Sequence, residues 1–235
     1  MVNKMANYTI LIIIIVIVLI GAGVGVAVAL SGKKDDNPTG DSVNGIFNNT
    51  FFGDSQNYAS SIKIASDRWS SYIDEDVTIN VKYQTFNDPS SITLASASMN
   101  DSSNIRGGGT ININTGRSPP AAGWDDVIEH ELCHVLGLPS ATEWQNAIIT
   151  TSSGTFLDAS VFTLTAAAYY DLISGSSGNI PLQSTGAHWN ESVFSIELMT
   201  PLISSEPELI TSKLTLTAMK ELGWNIDLSK AEPFP

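Results

Sequence analysis

Residues 127–139 read VIEHELCHVLGLP, and this stretch decides how the rest of the chain is interpreted. His130 and His134 are four positions apart, so on a helix they lie one turn apart on the same face. Two imidazole nitrogens placed in this way can bind one metal ion, and Glu131 can reach a water molecule beside that ion. Gly137 and Pro139 predict that the helix ends directly after the second histidine.

The H-E-x-x-H pattern is typical of zinc peptidases, in which the two histidines bind zinc and the glutamate is the general base. Alone it is a weak signal, because a chain of this length contains it by chance about once in a hundred cases. The alternative is an ordinary buried helix that carries two histidines. The chain has only three histidines in all. His188 is therefore the only histidine that can complete a site of three imidazole ligands.

Composition and charge exclude one large class of partner. The chain has 235 residues and a formal net charge of −13. Because nucleic-acid binding requires a basic face, we expect no nucleic-acid partner. The single cysteine, Cys133, excludes an intrachain disulfide. It lies between the two histidines of the motif, and we interpret it as a small buried side chain rather than as a redox-sensitive or metal-competing thiol.

The N-terminal part of the chain differs in composition from the rest. Residues 8–31 contain an apolar stretch without charge that is long enough to cross a hydrocarbon layer of about 30 Å. We predict a membrane anchor in residues 1–31 and a polar tether in residues 32–46, with the remaining domain outside the cytoplasm. A cleaved signal peptide is the alternative, because residues 27–29 read AVA. Removal of residues 1–29 would then give a secreted protein.

Periodic patterns along the remaining chain predict an α+β fold. Apolar residues at steps of three or four predict a helix over residues 54–73. Alternation predicts a strand over residues 77–83, and two further strands are predicted over residues 91–99 and 110–114. With the motif helix that follows, these elements form an N-terminal subdomain, residues 47–138.

The C-terminal subdomain, residues 139–235, has a less regular pattern. Residues 140–155 are polar and are predicted to be irregular, whereas residues 159–173 contain a helical stretch. Ser212 is a candidate N-cap for a last helix, and Gly223 is the residue that stops this helix. We therefore expect a mostly irregular and helical subdomain.

Four stretches of the chain together resemble the leishmanolysin-like zinc peptidases, a metzincin family with a long insertion before its third histidine. They are HELCHVLG at residues 130–137, IPL at 180–182 with GAHW at 186–189, ELMTP at 197–201, and LTLTAMKELGW at 214–224. Their order and approximate spacing agree with the family, and the last three are together more specific than H-E-x-x-H alone. The resemblance covers most of residues 47–226.

The resemblance implies a role for each site residue. His130, His134 and His188 would bind one zinc ion per chain, and Glu131 would be the general base. Met199 would be the methionine of the Met-turn, which lies beneath the metal. The fold would be metzincin-like, with a small twisted mixed sheet and helices, then the active-site helix, then a C-terminal subdomain that contains the Met-turn and a final helix. The chain departs from the family in lacking its many cysteines.

By the same resemblance, an extended peptide substrate would pair with an edge strand beside the active-site helix. Our candidate for this strand consists of Thr110, Ile111, Asn112, Ile113 and Asn114. The expected function is that of a membrane-tethered zinc metalloendopeptidase that hydrolyses peptide bonds in a protein or peptide substrate.

Two alternatives to this interpretation stay open. One is a catalytically silent zinc-binding module with an adhesive or structural role on a cell or virion surface; Glu131 argues against it, because a binding module needs no general base. The other concerns the third ligand. Glu191 follows Asn190, and some H-E-x-x-H enzymes take a glutamate ligand from an N-E segment, although normally much sooner after the motif.

Overall fold

The computed structural model describes residues 38–119, 123–203 and 209–235, together with the backbone of β1 (Ile13–Ile14). Its architecture is α+β, with one mixed sheet, a smaller antiparallel sheet and several helices, as the sequence predicts. The predicted membrane segment, residues 8–31, lies outside the described residues except for β1, which pairs with β10 (Leu202–Ile203). Among the helices that the structure describes, none has the length and apolar character needed to cross a membrane.

The larger sheet contains five strands and carries the N-terminal half of the core. They are β2 (Pro38–Asn44), β3 (Phe47–Phe52), β4 (Ile79–Phe86), β5 (Ala95–Met99) and β6 (Gly109–Asn114). Their spatial order is β2-β3-β4-β6-β5, in which β3, β4 and β6 are parallel and the two outer strands are antiparallel to their neighbours. In β4, Ile79, Val81 and Tyr83 are buried while the residues between them are exposed, as expected for a strand with one face on the core.

Two predictions about this sheet need correction. Residues 38–44, which we assigned to the polar tether of residues 32–46, form β2 and pair with β3. This edge strand is held by main-chain hydrogen bonds and has few buried side chains, so its polar sequence gave no strand signal. Residues 110–114 do form a strand within β6, but this strand lies between β4 and β5 and is not at the edge. The edge strand on that side is β5. The prediction failed because strand order depends on pairing between segments that are distant in the sequence.

Two helices pack against each other beside the sheet. They are α1 (Ala59–Tyr72), which follows a 3-10 helix over Gly53–Tyr58, and α2 (Trp124–Val135), which carries the motif. Trp69 of α1 is fully buried, and its indole N–H donates a 2.8 Å hydrogen bond to the carbonyl oxygen of Glu129 in α2. Every residue from Asp126 to Val135 is buried. The motif helix is therefore enclosed on all sides and is a rigid support for its side chains.

The C-terminal half contains a second sheet that the sequence did not predict. Its antiparallel strands are β7 (Ile148–Thr151), β8 (Gly154–Leu157) and β9 (Ile180–Leu182). A short helix, α3 (Thr142–Asn146), precedes them. The prediction that residues 140–155 are irregular is therefore wrong. Its cause is that β7 and β8 form a surface hairpin with few buried side chains, which weakens the apolar alternation.

Three more helices complete the described fold: α4 (Thr163–Leu172), α5 (Glu191–Phe194) and α6 (Lys213–Glu221). The predicted N-cap of the last helix is confirmed, since the Ser212 side chain accepts a hydrogen bond from the backbone N–H of Leu214. Gly223 follows the helix with a φ of +108°, a conformation that glycine adopts without strain. The Trp224 indole N–H then donates to the carbonyl oxygen of Leu136, which fixes the end of α6 against the end of α2.

Candidate metal centre

Three histidine side chains converge in the interior of the protein. His130 and His134 come from α2, and His188 comes from the loop that follows β9. The Nε2 atom of His188 lies 3.1 Å from Nε2 of His130 and 3.2 Å from Nε2 of His134. All three side chains are buried, and their ligand atoms lie within 4.8 Å of one another. This arrangement is close enough to bind one metal ion.

The opposite nitrogen of each histidine faces an oxygen acceptor. Nδ1 of His130 lies 2.6 Å from the carbonyl oxygen of Leu198, and Nδ1 of His134 faces the carbonyl oxygen of Leu138. Nδ1 of His188 lies 3.1 Å from Oε1 of Gln183. Because these oxygens accept hydrogen bonds, each Nδ1 carries the proton and each Nε2 keeps its lone pair. Metal-binding histidines are oriented in this way by a second hydrogen bond.

Burial also keeps the three imidazoles neutral. Loss of hydration lowers the pKa of His130 to about 4. The pKa values of His134 and His188 lie well below their usual range, first because of burial and then because a neighbouring histidine disfavours a second positive charge. A histidine must be deprotonated at the binding nitrogen to coordinate a metal. At pH 7 all three therefore have the protonation state of a ligand.

Two of the three nitrogen separations fit a tetrahedral ion. With metal–nitrogen distances of about 2.0–2.1 Å, two nitrogens of a tetrahedral site are about 3.3 Å apart. The separations of 3.1 Å and 3.2 Å measured from His188 Nε2 are close to this value. The side chains could therefore bind an ion of this size with only small adjustments.

Glu131 follows His130 in α2 and is a buried acid, with only 1% of its surface exposed. Its Oε2 atom has no hydrogen-bond partner among the described residues. Burial raises the pKa of this carboxyl group to about 8. An unpaired buried carboxylate is costly, and a cation bound to the three histidines would offset that cost by favouring the charged form. The environment of Glu131 therefore fits a metal ion nearby.

Two further residues that the sequence analysis named, Glu191 and Cys133, are not part of the histidine cluster. Glu191 lies in α5, outside the cluster of metal-binding atoms found among the described residues, and His188 supplies the third ligand atom of that cluster. Cys133 is fully buried against Met219, with its sulfur 3.8 Å from the methionine sulfur, and burial raises the pKa of its thiol. It is therefore a buried neutral thiol, as we expected.

Met199 lies in a tight turn that is bonded to the ligand segments. The turn closes with a hydrogen bond from the backbone N–H of Thr200 to the carbonyl oxygen of Glu197. The carbonyl oxygen of Met199 accepts from the backbone N–H of Trp189, the residue after His188. The carbonyl oxygen of Leu198, in the same turn, faces the His130 side chain. The turn is therefore bonded both to the first ligand and to the backbone of the segment that carries the third ligand.

An ionic cluster that we did not predict fixes the start of α2. The Arg68 guanidinium lies 3.2 Å from Asp125, 2.8 Å from Asp126 and 2.7 Å from Glu129. Glu129 is buried and also accepts a 2.6 Å hydrogen bond from the hydroxyl of Thr211. Burial raises the pKa of Glu129 to about 7, against the opposing effects of Thr211 and Arg68. This cluster connects α1, the motif helix and the segment before α6.

The outer side of β5 carries main-chain groups that have no strand partner among the described residues, and this strand lies beside the motif helix. The carbonyl oxygen of Leu94 accepts from the N–H of Asn114, and the N–H of Asn100 donates to Gly108. Because hydrogen-bonded pairs alternate along an antiparallel ladder, the N–H and C=O groups of Ala95 and the other odd-numbered residues of β5 point away from β6. No other strand of the described residues pairs with this side.

Comparisons with known proteins do not assign the chain to a family. No family model, no curated protein and no solved structure matches it. The resemblance to the leishmanolysin-like peptidases therefore stays a prediction that rests on the four stretches quoted above. The function is inferred from the histidine cluster and from the groups around it.

Proposed function

We propose that this protein is a membrane-tethered, zinc-dependent metalloendopeptidase. The observation that supports this most strongly is the convergence of three neutral, buried histidines next to a buried glutamate that has an unpaired oxygen. Structural zinc sites are closed by four protein ligands, whereas catalytic sites have three and keep one position open. A site with three histidines and an adjacent free carboxyl group has the composition of the catalytic class.

Zinc is the metal that we propose for this centre, with one ion per chain. Imidazole ligands suit zinc, copper, iron and nickel. Three histidines are a known ligand set of catalytic zinc, which keeps its fourth position for water or substrate. His130, His134 and His188 would hold the ion, and the carbonyl groups of Leu198 and Leu138 and the amide of Gln183 would orient them.

Glu131 is the residue that we propose for proton transfer. When bound, zinc polarises the peptide carbonyl and lowers the pKa of water toward about 7. Glu131 would accept a proton from the attacking water and deliver it to the leaving nitrogen, so that no covalent intermediate is required. Its position directly after His130 and its unpaired Oε2 support this role.

We further propose that the substrate is an extended peptide that pairs with the outer side of β5. The N–H and C=O groups of Ala97 and Met99, which point away from β6, would bind the substrate backbone as an added strand. This replaces the prediction of residues 110–114 as the edge strand. Because β5 packs against α2, a peptide added to this edge would lie beside the helix that carries His130 and His134.

The family and the location belong to the same proposal. Met199 would be the methionine of a Met-turn, and the protein would be a leishmanolysin-like metzincin. Residues 8–31 would anchor it in a membrane with the catalytic domain outside the cytoplasm, and a form without residues 1–29 would be secreted. The apolar composition of residues 10–30 supports this location, and insertion into a membrane would require that Ile13–Ile14 separate from β10.

The proposal is tested by measuring zinc content and casein cleavage on the full chain in detergent micelles. The wild type is compared with Glu131→Gln and with a matched control, Glu191→Gln, which changes a partly buried glutamate outside the histidine cluster. We expect one zinc ion per chain in all three proteins and cleavage by the wild type and the control only. Cleavage should also stop when a chelator removes the metal.

Other outcomes separate the alternatives. Zinc binding by the wild type without cleavage would favour a catalytically silent surface module. A folded wild type without zinc would contradict the proposal. Loss of zinc from the Glu131→Gln variant would contradict the assignment of this residue as general base rather than ligand.

A further inference from the structure

Glu197 is a buried carboxyl group that the proposed reaction does not use. It has no exposed surface and lies in the turn that contains Met199. Its Oε2 atom accepts a 2.7 Å hydrogen bond from the backbone N–H of Met199. Its Oε1 atom accepts from the hydroxyl groups of Ser212, at 2.9 Å, and Thr215, at 2.5 Å. Burial of a carboxylate costs free energy, and these three donors offset that cost. A buried carboxyl group with so many donors indicates a specific role.

One peptide group connects Glu197 to a metal ligand. The N–H of Met199, which donates to Glu197, and the C=O of Leu198, which accepts from Nδ1 of His130 at 2.6 Å, belong to the same peptide bond. A peptide group is planar and rigid, so fixing its N–H edge also fixes the direction of its carbonyl oxygen. The carboxyl group and the imidazole therefore lie on opposite edges of a single plane.

We propose that Glu197 is a positioning residue for the metal centre and that it acts on His130 through the peptide bond between Leu198 and Met199. A metal-binding histidine commonly donates the N–H of its other ring nitrogen to a carboxylate or to a backbone carbonyl. Here His130 donates to a backbone carbonyl, and a carboxylate accepts from the N–H of the same peptide group. A carboxylate on the N–H side polarises the peptide group, which strengthens the carbonyl oxygen as an acceptor. This inference rests on the proposed metal centre.

The surrounding hydrogen bonds hold the carboxyl group in place for this role. Ser212 and Thr215 occupy Oε1, which leaves Oε2 for Met199. Thr215 also accepts a 2.8 Å hydrogen bond from the indole N–H of Trp189. Since Trp189 follows His188, the same network extends from the His130 acceptor to the segment that carries the third ligand.

A role limited to capping α6 does not account for this carboxyl group. Ser212 is the N-cap of α6, and its own hydroxyl accepts from the backbone N–H of Leu214. Glu197 bonds to the Ser212 hydroxyl at 2.9 Å, whereas its contact with the Ser212 backbone N–H is longer, at 3.4 Å. Its 2.7 Å bond to a backbone N–H is made to Met199, in the turn beside His130.

The test compares Glu197→Gln and Glu197→Leu with a matched control, Glu221→Gln. Glu221 is also a carboxyl group that accepts backbone N–H groups, those of Leu164 and Thr165 at the start of α4, but it has no bond to a ligand or its acceptor. Zinc affinity of the full chain in detergent micelles is measured by competition with a chelator. The visible absorption of the Co²⁺-substituted chain reports the ligand geometry.

We expect Glu197→Leu to weaken zinc binding about 10–100-fold, the range found when outer partners of metal ligands are removed. Glu197→Gln keeps an acceptor for Met199 without the charge, so it should bind zinc less tightly than wild type and more tightly than Glu197→Leu. Both variants should shift the Co²⁺ absorption, whereas Glu221→Gln should match wild type in both measurements.

Several outcomes would overturn the inference. If Glu197→Gln binds zinc as tightly as wild type with an unchanged Co²⁺ spectrum, the Glu197 carboxylate does not act on His130 through the peptide bond, and this overturns the inference even if Glu197→Leu fails to fold. An equal loss in Glu221→Gln would show a general effect of stability and would also overturn it. A wild type that binds no zinc overturns both this inference and the proposed function. Zinc binding without proteolysis, combined with the expected losses, supports this inference and contradicts the peptidase.

Discussion

Replacement of Glu131 by glutamine should stabilise the metal-free protein, and the gain should depend on pH. Burial raises the pKa of the Glu131 carboxyl group in the folded chain from 4.5 to about 8. Between these values the folded chain binds the proton more tightly than the unfolded chain, so the stability of the wild type falls as pH rises from 4.5 through 8. Glutamine has a similar shape and does not titrate, so the variant lacks this loss.

The size of the gain follows from the two pKa values. A pH of 7 is about 2.5 units above the pKa of the carboxyl group in the unfolded chain, and each unit corresponds to about 1.36 kcal/mol. The unfolding free energy of Glu131→Gln should therefore exceed that of the wild type by about 3 kcal/mol at pH 7. Below pH 4.5 the difference vanishes, because both states of the wild type are protonated. Glu129 and Glu197, whose pKa values are raised to about 7 by burial, titrate in both proteins and cancel in the comparison.

The assay is urea unfolding of the full chain in the presence of a chelator, with wild type and Glu131→Gln measured at several pH values between 4.5 and 8. We expect the midpoint of the variant to rise relative to the wild type as pH increases. With zinc bound, the gain should shrink, because the positive ion favours the carboxylate. A constant difference at every pH would show that the Glu131 carboxyl group is solvated or paired, and would refute this account of its environment.

The remaining predictions concern the third ligand, the substrate edge and the ionic cluster. His188→Ala should weaken zinc binding by at least about 100-fold in a chelator competition, which is more than the loss caused by removing an outer partner of a ligand. Glu191→Ala should bind zinc as tightly as the wild type does. The reverse result would make Glu191 the ligand. Ala97→Pro removes an N–H that points away from β6 and makes no ladder hydrogen bond. We expect kcat/KM for a peptide to fall about tenfold, as one lost hydrogen bond predicts, with zinc content unchanged. Unaltered cleavage would exclude β5 as the substrate strand. Arg68→Met leaves the buried Glu129 without its cation and should lower the unfolding free energy by about 1.5–3 kcal/mol, the range for hydrogen bonds to a charged group. A loss below about 1 kcal/mol in urea unfolding would place this pair with ordinary surface ion pairs.

Features set by neighbouring residues could be predicted from the sequence. The four-residue spacing of His130 and His134 predicts one helix face, and the structure places both side chains in one cluster. Ser212 and Gly223 predict the limits of the last helix, because a cap and a stop depend on the backbone nearby. His188 could be predicted as the partner of the cluster because the chain has no fourth histidine and because GAHW at residues 186–189 resembles the third-histidine segment of the peptidase family.

Features set by distant pairing could not be predicted in the same way. The strand order that places β5 outside β6 depends on contacts that no local pattern records. The carbonyl groups that orient His130 and His134 belong to leucines, and a backbone carbonyl has no sequence signal. The hydrogen-bond partners of Glu197 also have no sequence signal, because only the fold brings Ser212 and Thr215 to its carboxyl group. These groups become visible only when the chain is folded.

X-ray absorption at the zinc edge tests the central claim most directly, since it reports the atoms bound to the metal without reference to activity. The sample is the full chain after zinc is added and excess metal is removed. We predict one ion per chain, bound by three imidazole nitrogens at about 2.0–2.1 Å and by one oxygen. A zinc–sulfur distance of about 2.3 Å, which would make Cys133 a ligand, or a site with fewer than three imidazoles, would contradict the account.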